Sequence, residues 1–259
     1  MIVTGTRAHG ESRRRFLELP SGFCYHKGEW MESGDDPLLS PTMFLVEQPA
    51  GKVLPTHWHR ENQFQVVVGG GGTMGRHEIA PIMVHYAGAY SGYGPIIAGP
   101  EGVKYFTIRA VFEQGAMMAA TQLDSMIRGP KRQVSSEQHQ TLDEGGLAAL
   151  TQARCIDLIA PAADKLAAQV WQLPPGGSAL ALDPAGSSGQ FLMVLSGGLR
   201  HADQVLREWE TVFVSADEPA HRLQAGDAGA EVLLLQIPLK ADVYHTPAAR
   251  EALAAIASA

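Results

Sequence analysis

The stretch GKVLPTHWHRENQFQVVVGG, Gly51–Gly70, decides how the rest of the chain is read. Within it His57 and His59 form an H-x-H pair. Side chains alternate along a strand, so both imidazoles fall on one face. Two imidazoles on one face make half of a coordination shell for a divalent transition metal. Gln63 follows four residues later, across a predicted tight turn, as a third polar donor. The candidate metal ligands are therefore His57, His59 and Gln63.

Working outward, short apolar runs recur between turn signals: Met43–Val46, Phe64–Val68, Tyr105–Ile108, Phe191–Leu195 and Val232–Leu235. Each has strand length, and 28 glycines and 16 prolines suit a turn-rich, all-β fold. The clearest helix is the tail, where Thr246 can cap and Pro247 can take the first helical position. A shift of 127 residues superimposes the chain on itself. Gln63-Phe64 then falls on Gln190-Phe191, Gly70 on Gly197, Gly102 on Gly229 and Tyr105–Ile108 on Val232–Leu235. This predicts two copies of one β-domain, residues 1–134 and 147–259, joined by a polar linker at 135–146.

Composition narrows the classes of function. A net charge of −7 argues against binding to nucleic acid or an anionic membrane. No apolar run approaches the roughly 20 residues that span a bilayer. Cys24 and Cys155 are too few for a disulfide framework, which points to the cytoplasm. Ser12–Leu17 mimics a twin-arginine export signal, but the polar, turn-like Glu18–Gly22 follows instead of an apolar stretch. Arg13, Arg14 and Arg15 are therefore read as a solvated cluster. The Gly69–Gly72 run lacks the Lys-Ser/Thr of a phosphate loop and reads as a turn between strands.

These residues resemble the first motif of the cupin superfamily: a glycine, five residues, H-x-H, three or four residues, a glutamate, six residues, a glycine. Here Gly51, His57, His59, Gln63 and Gly70 stand at those spacings, with glutamine for glutamate. The resemblance implies a bicupin, two antiparallel jelly-roll barrels in tandem, each enclosing a pocket. It also implies a divalent metal (Fe, Mn, Ni or Zn) and often a homodimer. The second motif should add a fourth ligand, a histidine, near Pro95. None lies between Tyr86 and Gln138, and Ile96 or Ile97 is expected in its place. In the second half His57 maps to Pro184, His59 to Gly186 and Ile96 to Leu223, so that barrel is read as structural.

Other residues could complete the first shell. Glu61 could turn inward as ligand or base but reads as a solvated turn residue. His77 or His85 could reach in from a neighbouring strand, against a plainer reading as surface or hydrogen-bonded histidines. The leading expectation is a metal-dependent enzyme, of dioxygenase or isomerase/lyase type, acting on a small oxygenated metabolite. The neutral amide of Gln63 leaves a bound metal's charge uncompensated, which favours Lewis-acid chemistry over oxygen activation. The alternative is a non-catalytic, small-molecule-binding or structural bicupin with a decayed site. Transcriptional regulation lacks a basic pair of adjacent amphipathic helices.

Overall fold

A computed structural model describes residues 1–19 and 22–257. The turn expected at Pro20 and Ser21 lies outside the described residues. The chain forms two compact units, and neither is one continuous segment. One unit joins Arg13–Gln138 to Lys240–Ala259, and the other joins Met1–Ser12 to His139–Leu239. The break between the two long segments, at Gln138 and His139, falls inside the expected linker at 135–146. Strand Ile2–Gly5 pairs with Thr211–Val214 in the second unit. The expected linker is also structured. It opens on strand Gln133–Ser135, which pairs with Met83–Ala87 at Ala87, Tyr86 and His85. It closes in helix Glu144–Ala148, whose Asp143 cap accepts from Gly146 N at 2.7 Å.

Among the described residues the first unit carries a nine-stranded sheet and the second an eight-stranded sheet, with antiparallel pairs throughout. The strands fall where the apolar runs predict them, and the repeat is visible in their bounds. Strand Gln63–Met74 recurs as Gln190–His201 and His77–Ile79 as Gln204–Leu206, both displaced by 127 residues. Strand Ile96–Arg109 recurs as Arg222–Gln236. The turn expected at Gly69–Gly72 is instead part of strand Gln63–Met74, which bulges against its neighbour there. The glycines allow backbones to touch. A Cβ on Gly70, where φ is +62°, would lie 2.2 Å from the Gly102 carbonyl oxygen. In the second unit a Cβ on Gly197 (φ +72°) would lie 2.3 Å from that of Gly229.

Register then sets which side chains face inward. Val67 lies opposite Tyr105 and Gln65 opposite Thr107, while Phe44 and Val46 flank them from strand Thr42–Gln48. With period two, Gln63, Gln65, Val67, Tyr105, Thr107 and Arg109 share one face. Phe64 and Val66, fully buried, face the other way. In the second unit the interior is closed by an apolar cluster including Leu192, Val194, Leu223, Val232 and Leu234. The three arginines near the N-terminus are exposed and paired: Arg13 with Glu32 at 3.1 Å, Arg14 with Glu47 at 2.6 Å and Arg15 with Glu29 at 2.8 Å. The tail helix Pro247–Ala257 starts as expected, with Thr246 Oγ1 accepting from Ala249 N at 3.2 Å. Cys24 and Cys155 are free thiols. No helix among the described residues is long and apolar enough to cross a membrane.

Candidate functional site

His57, His59 and Gln63 come together in the interior of the first unit, at most 7% exposed. The imidazoles of His57 and His59 stand edge to face with centroids 5.3 Å apart. The residue closing the site is Tyr93. His57 and Tyr93 form an antiparallel bridge, His57 N donating to Tyr93 O at 3.1 Å and Tyr93 N to His57 O at 2.9 Å. That bridge puts the Tyr93 ring 4.4 Å from the His57 ring. Ile96, expected at this place, instead pairs with Leu54 and Met74 inside the apolar cluster.

The hydrogen bonds have only one consistent polarity. Pro55 O is 2.8 Å from His57 Nδ1 and can only accept, so that nitrogen carries the proton. His57 Nε2 therefore presents a lone pair, and the Tyr93 hydroxyl donates to it at 2.8 Å. The phenol oxygen accepts in turn from Gln63 Nε2 at 2.6 Å and Gln65 Nε2 at 2.7 Å. Arg109 Nε donates to Gln63 Oε1 at 3.0 Å, which fixes the orientation of that amide. Arg109 Nη2 approaches His59 Nδ1 at 3.0 Å, and Glu113 Oε2 lies 3.2 Å from the same nitrogen. The Glu113 carboxylate is anchored by Arg60 N, which donates to its Oε1 at 2.8 Å.

Burial sets the protonation states. It pushes His57 down to about 3, and the neighbouring His59 adds to the shift. His59 is lowered as well, by burial and then by the Arg109 charge. Burial pushes Glu113 up, but the bond to His59 and the Arg109 guanidinium outweigh it and hold its carboxyl below the usual range. Burial raises the Tyr93 phenol. At neutral pH the cluster is therefore two neutral imidazoles, a neutral phenol, one buried cation and one buried anion.

Polar atoms of all three predicted ligands already have partners. His57 Nε2 holds the Tyr93 hydroxyl, Gln63 Oε1 holds Arg109 Nε, and His59 Nδ1 faces Arg109 Nη2. A permanent guanidinium charge also opposes a dication, by roughly 4 kcal/mol per pair of unit charges at 4 Å in a partly polar medium. As arranged, these residues do not fit a metal. No cluster of three or more His, Cys, Asp or Glu residues able to hold one occurs among the described residues.

The remaining candidates stand apart from this cluster. Glu61 is buried, contrary to the solvated turn expected, and is ion-paired with Lys240 from the tail. Burial raises its carboxyl to about 7 despite that partner. His85 bonds Ser135 Oγ at 2.8 Å and lies beyond Tyr93, ring centroids 5.3 Å apart. His77 is exposed. In the second unit Gln190 is buried but bonds only the Leu182 carbonyl, at 3.0 Å. Arg109 and Glu113 were not foreseen. A buried arginine at the end of an apolar strand was the one available signal for Arg109.

The cluster lines a cavity of about 100 Å³. Phe23, Tyr25, Phe44 and Tyr105 supply aromatic walls, and Lys27 and Thr107 add polar groups. Lys27 is neutralised by Glu29 at 2.8 Å. Gln65 Oε1 is a buried acceptor without a hydrogen-bond donor.

In fold the chain is similar to solved structures of the kind that the cupin resemblance implies. No family model and no curated protein matches the sequence. Solved structures do. The pirin YhhW of Escherichia coli in complex with nickel(II) is 14% identical, with a TM-score of 0.55 over 92% of this chain and 99% of that one. An oxalate decarboxylase formate complex from Lactobacillus farciminis is 13% identical, with a TM-score of 0.57 over 92% and 87%. A candidate dioxygenase from Nostoc punctiforme is 13% identical, with a TM-score of 0.54 over 93% and 81%. At these identities the likeness is one of fold.

Proposed function

We propose that this chain is a bicupin whose first barrel binds a small oxygenated molecule without a transition metal, while the second barrel is structural. The observation that carries the reading is the continuous hydrogen-bond chain Arg109–Gln63–Tyr93–His57, which engages predicted ligands and still leaves a cavity beside them. The two cations lining the cavity each face a carboxylate, Lys27 the Glu29 that it shares with the exposed Arg15, and Arg109 the neighbouring Glu113. That favours an uncharged ligand. Its hydroxyl or N–H group would meet Gln65 Oε1, while its body packs on the aromatic walls.

A panel of small neutral hydroxylated and carbonyl compounds, added to metal-free protein, tests this by thermal shift and ligand-observed NMR. Binders should raise the melting temperature of the wild type and lose affinity at least tenfold in Thr107→Leu, which fills the cavity. Binding that appears only after metal is added would overturn the reading.

A second reading is favoured by the pair of neutral imidazoles facing one cavity and by the nickel in the pirin neighbour. In it His57, His59 and Gln63 hold a divalent metal for dioxygenase or isomerase/lyase chemistry. It requires Arg109 and Tyr93 to leave the positions they occupy here, and metal analysis separates the two readings.

A further inference from the structure

A second group of metal-ligating side chains, adjoining the His57 cluster where the His85 and Tyr93 rings lie 5.3 Å apart, sits on strands Gln63–Met74, His77–Ile79 and Met83–Ala87. Met74 and His77 are register partners across the tight turn joining the first two strands. Met83 and His85, two residues apart, share one face and lie opposite Val67 and Gln65. All four line a cavity of about 10 Å³, room for a single ion or water. The same four residues line an outer cleft of about 730 Å³, which gives that small cavity an approach from solvent.

The orientation of His85 is that of a waiting ligand. Its Nδ1 is bonded to Ser135 Oγ at 2.8 Å, while its Nε2 is buried and has no hydrogen-bond partner. A histidine ligand uses one ring nitrogen for the metal and gives the other to an orienting partner, the role Ser135 plays here. Burial also holds this imidazole neutral, as a ligand must be. Two thioethers beside two imidazoles form a soft donor set without a carboxylate. That combination selects cuprous copper over the harder divalent ions.

We propose that Met74, His77, Met83 and His85 form a binding site for Cu(I) that shares no ligand with the His57–Tyr93 cluster. Binding is all the site is assigned; no electron transfer is invoked.

The test is anaerobic titration of the full-length protein with Cu(I) in competition with a chromogenic cuprous chelator. The wild type should withhold one equivalent from the chelator. Met83→Leu, which keeps volume and apolarity, and His85→Asn should each weaken retention at least tenfold, and Ser135→Ala should weaken it about tenfold. The double variant His57→Ala/His59→Ala should retain copper as the wild type does. X-ray absorption of the loaded protein should show sulfur as well as nitrogen neighbours. Complete surrender of copper to the chelator would overturn the proposal. So would unchanged retention in both Met83→Leu and His85→Asn, or loss of copper in the His57/His59 double variant. These results leave the metal-free reading of the first cavity untouched, because that reading is tested by ligands and by divalent metals.

Discussion

Arg109 Nε donates to Gln63 Oε1 at 3.0 Å, and this single bond turns a predicted metal ligand into an acceptor for a fixed cation. It also commits the other end of the amide to Tyr93. The guanidinium lies between Gln63, His59 and Glu113, so it holds three otherwise costly buried polar groups at once.

Arg109→Met should therefore be strongly destabilising. It removes the charge facing Glu113 and leaves Gln63 Oε1 without a donor. Breaking one side of a buried ion pair costs about 3–5 kcal/mol. The urea midpoint should fall accordingly, and the double variant Arg109→Met/Glu113→Gln should recover part of the loss.

Tyr93→Phe keeps the ring and deletes the hydroxyl. His57 Nε2, Gln63 Nε2 and Gln65 Nε2 all lose a partner. Unsatisfied buried groups cost about 1–3 kcal/mol each, with partial relaxation among them. A drop of at least about 2 kcal/mol by chemical denaturation is expected, without change in the fold by far-UV circular dichroism.

Acid should unfold the protein earlier than its carboxylates alone dictate. Folded His57 protonates only near 3 and His85 near 4, whereas unfolded histidine protonates near 6.5. The unfolded state thus binds more protons between those values, so stability is full above about 6.5 and lost as pH falls toward 4. Each such histidine contributes up to about 1.4 kcal/mol per pH unit in that window. Glu61, raised to about 7, works in the opposite direction, costing stability as pH rises from 4.5 through 7. Urea midpoints measured from pH 7.5 to 5 should fall steeply for the wild type and less steeply for His85→Asn.

The paired glycines give a prediction in each unit. Gly70→Ala and Gly197→Ala both force a Cβ onto a carbonyl oxygen at a left-handed φ. Each should cost at least about 2 kcal/mol. If either is neutral in thermal melts, the backbone contact it reports is not present in solution.

The all-β fold and its duplication were legible because they are written in local signals: apolar runs of strand length, and glycines recurring at a fixed shift. That His57, His59 and Gln63 would meet was legible for the same reason, since they lie on one short stretch. What was not legible depends on contacts distant in sequence. Tyr93 reaches the site through its bridge with His57, 36 residues away, and not along the strand that opens at Ile96. Arg109 arrives from the far end of that strand, and Lys240 reaches Glu61 from the other end of the chain. A charged residue in an apolar strand can be read as exposed or as paired, and only its register decides. Without that register, the circuit that fills the predicted shell could not be foreseen.

The most direct test of the central claim is the transition-metal content of the purified protein, as isolated and after incubation with Fe(II), Mn(II), Ni(II) and Zn(II) followed by desalting. With Arg109 and Tyr93 holding the predicted ligands, the wild type should carry far less than one equivalent of any of these ions. Near-stoichiometric metal that disappears in His57→Ala/His59→Ala would contradict the account.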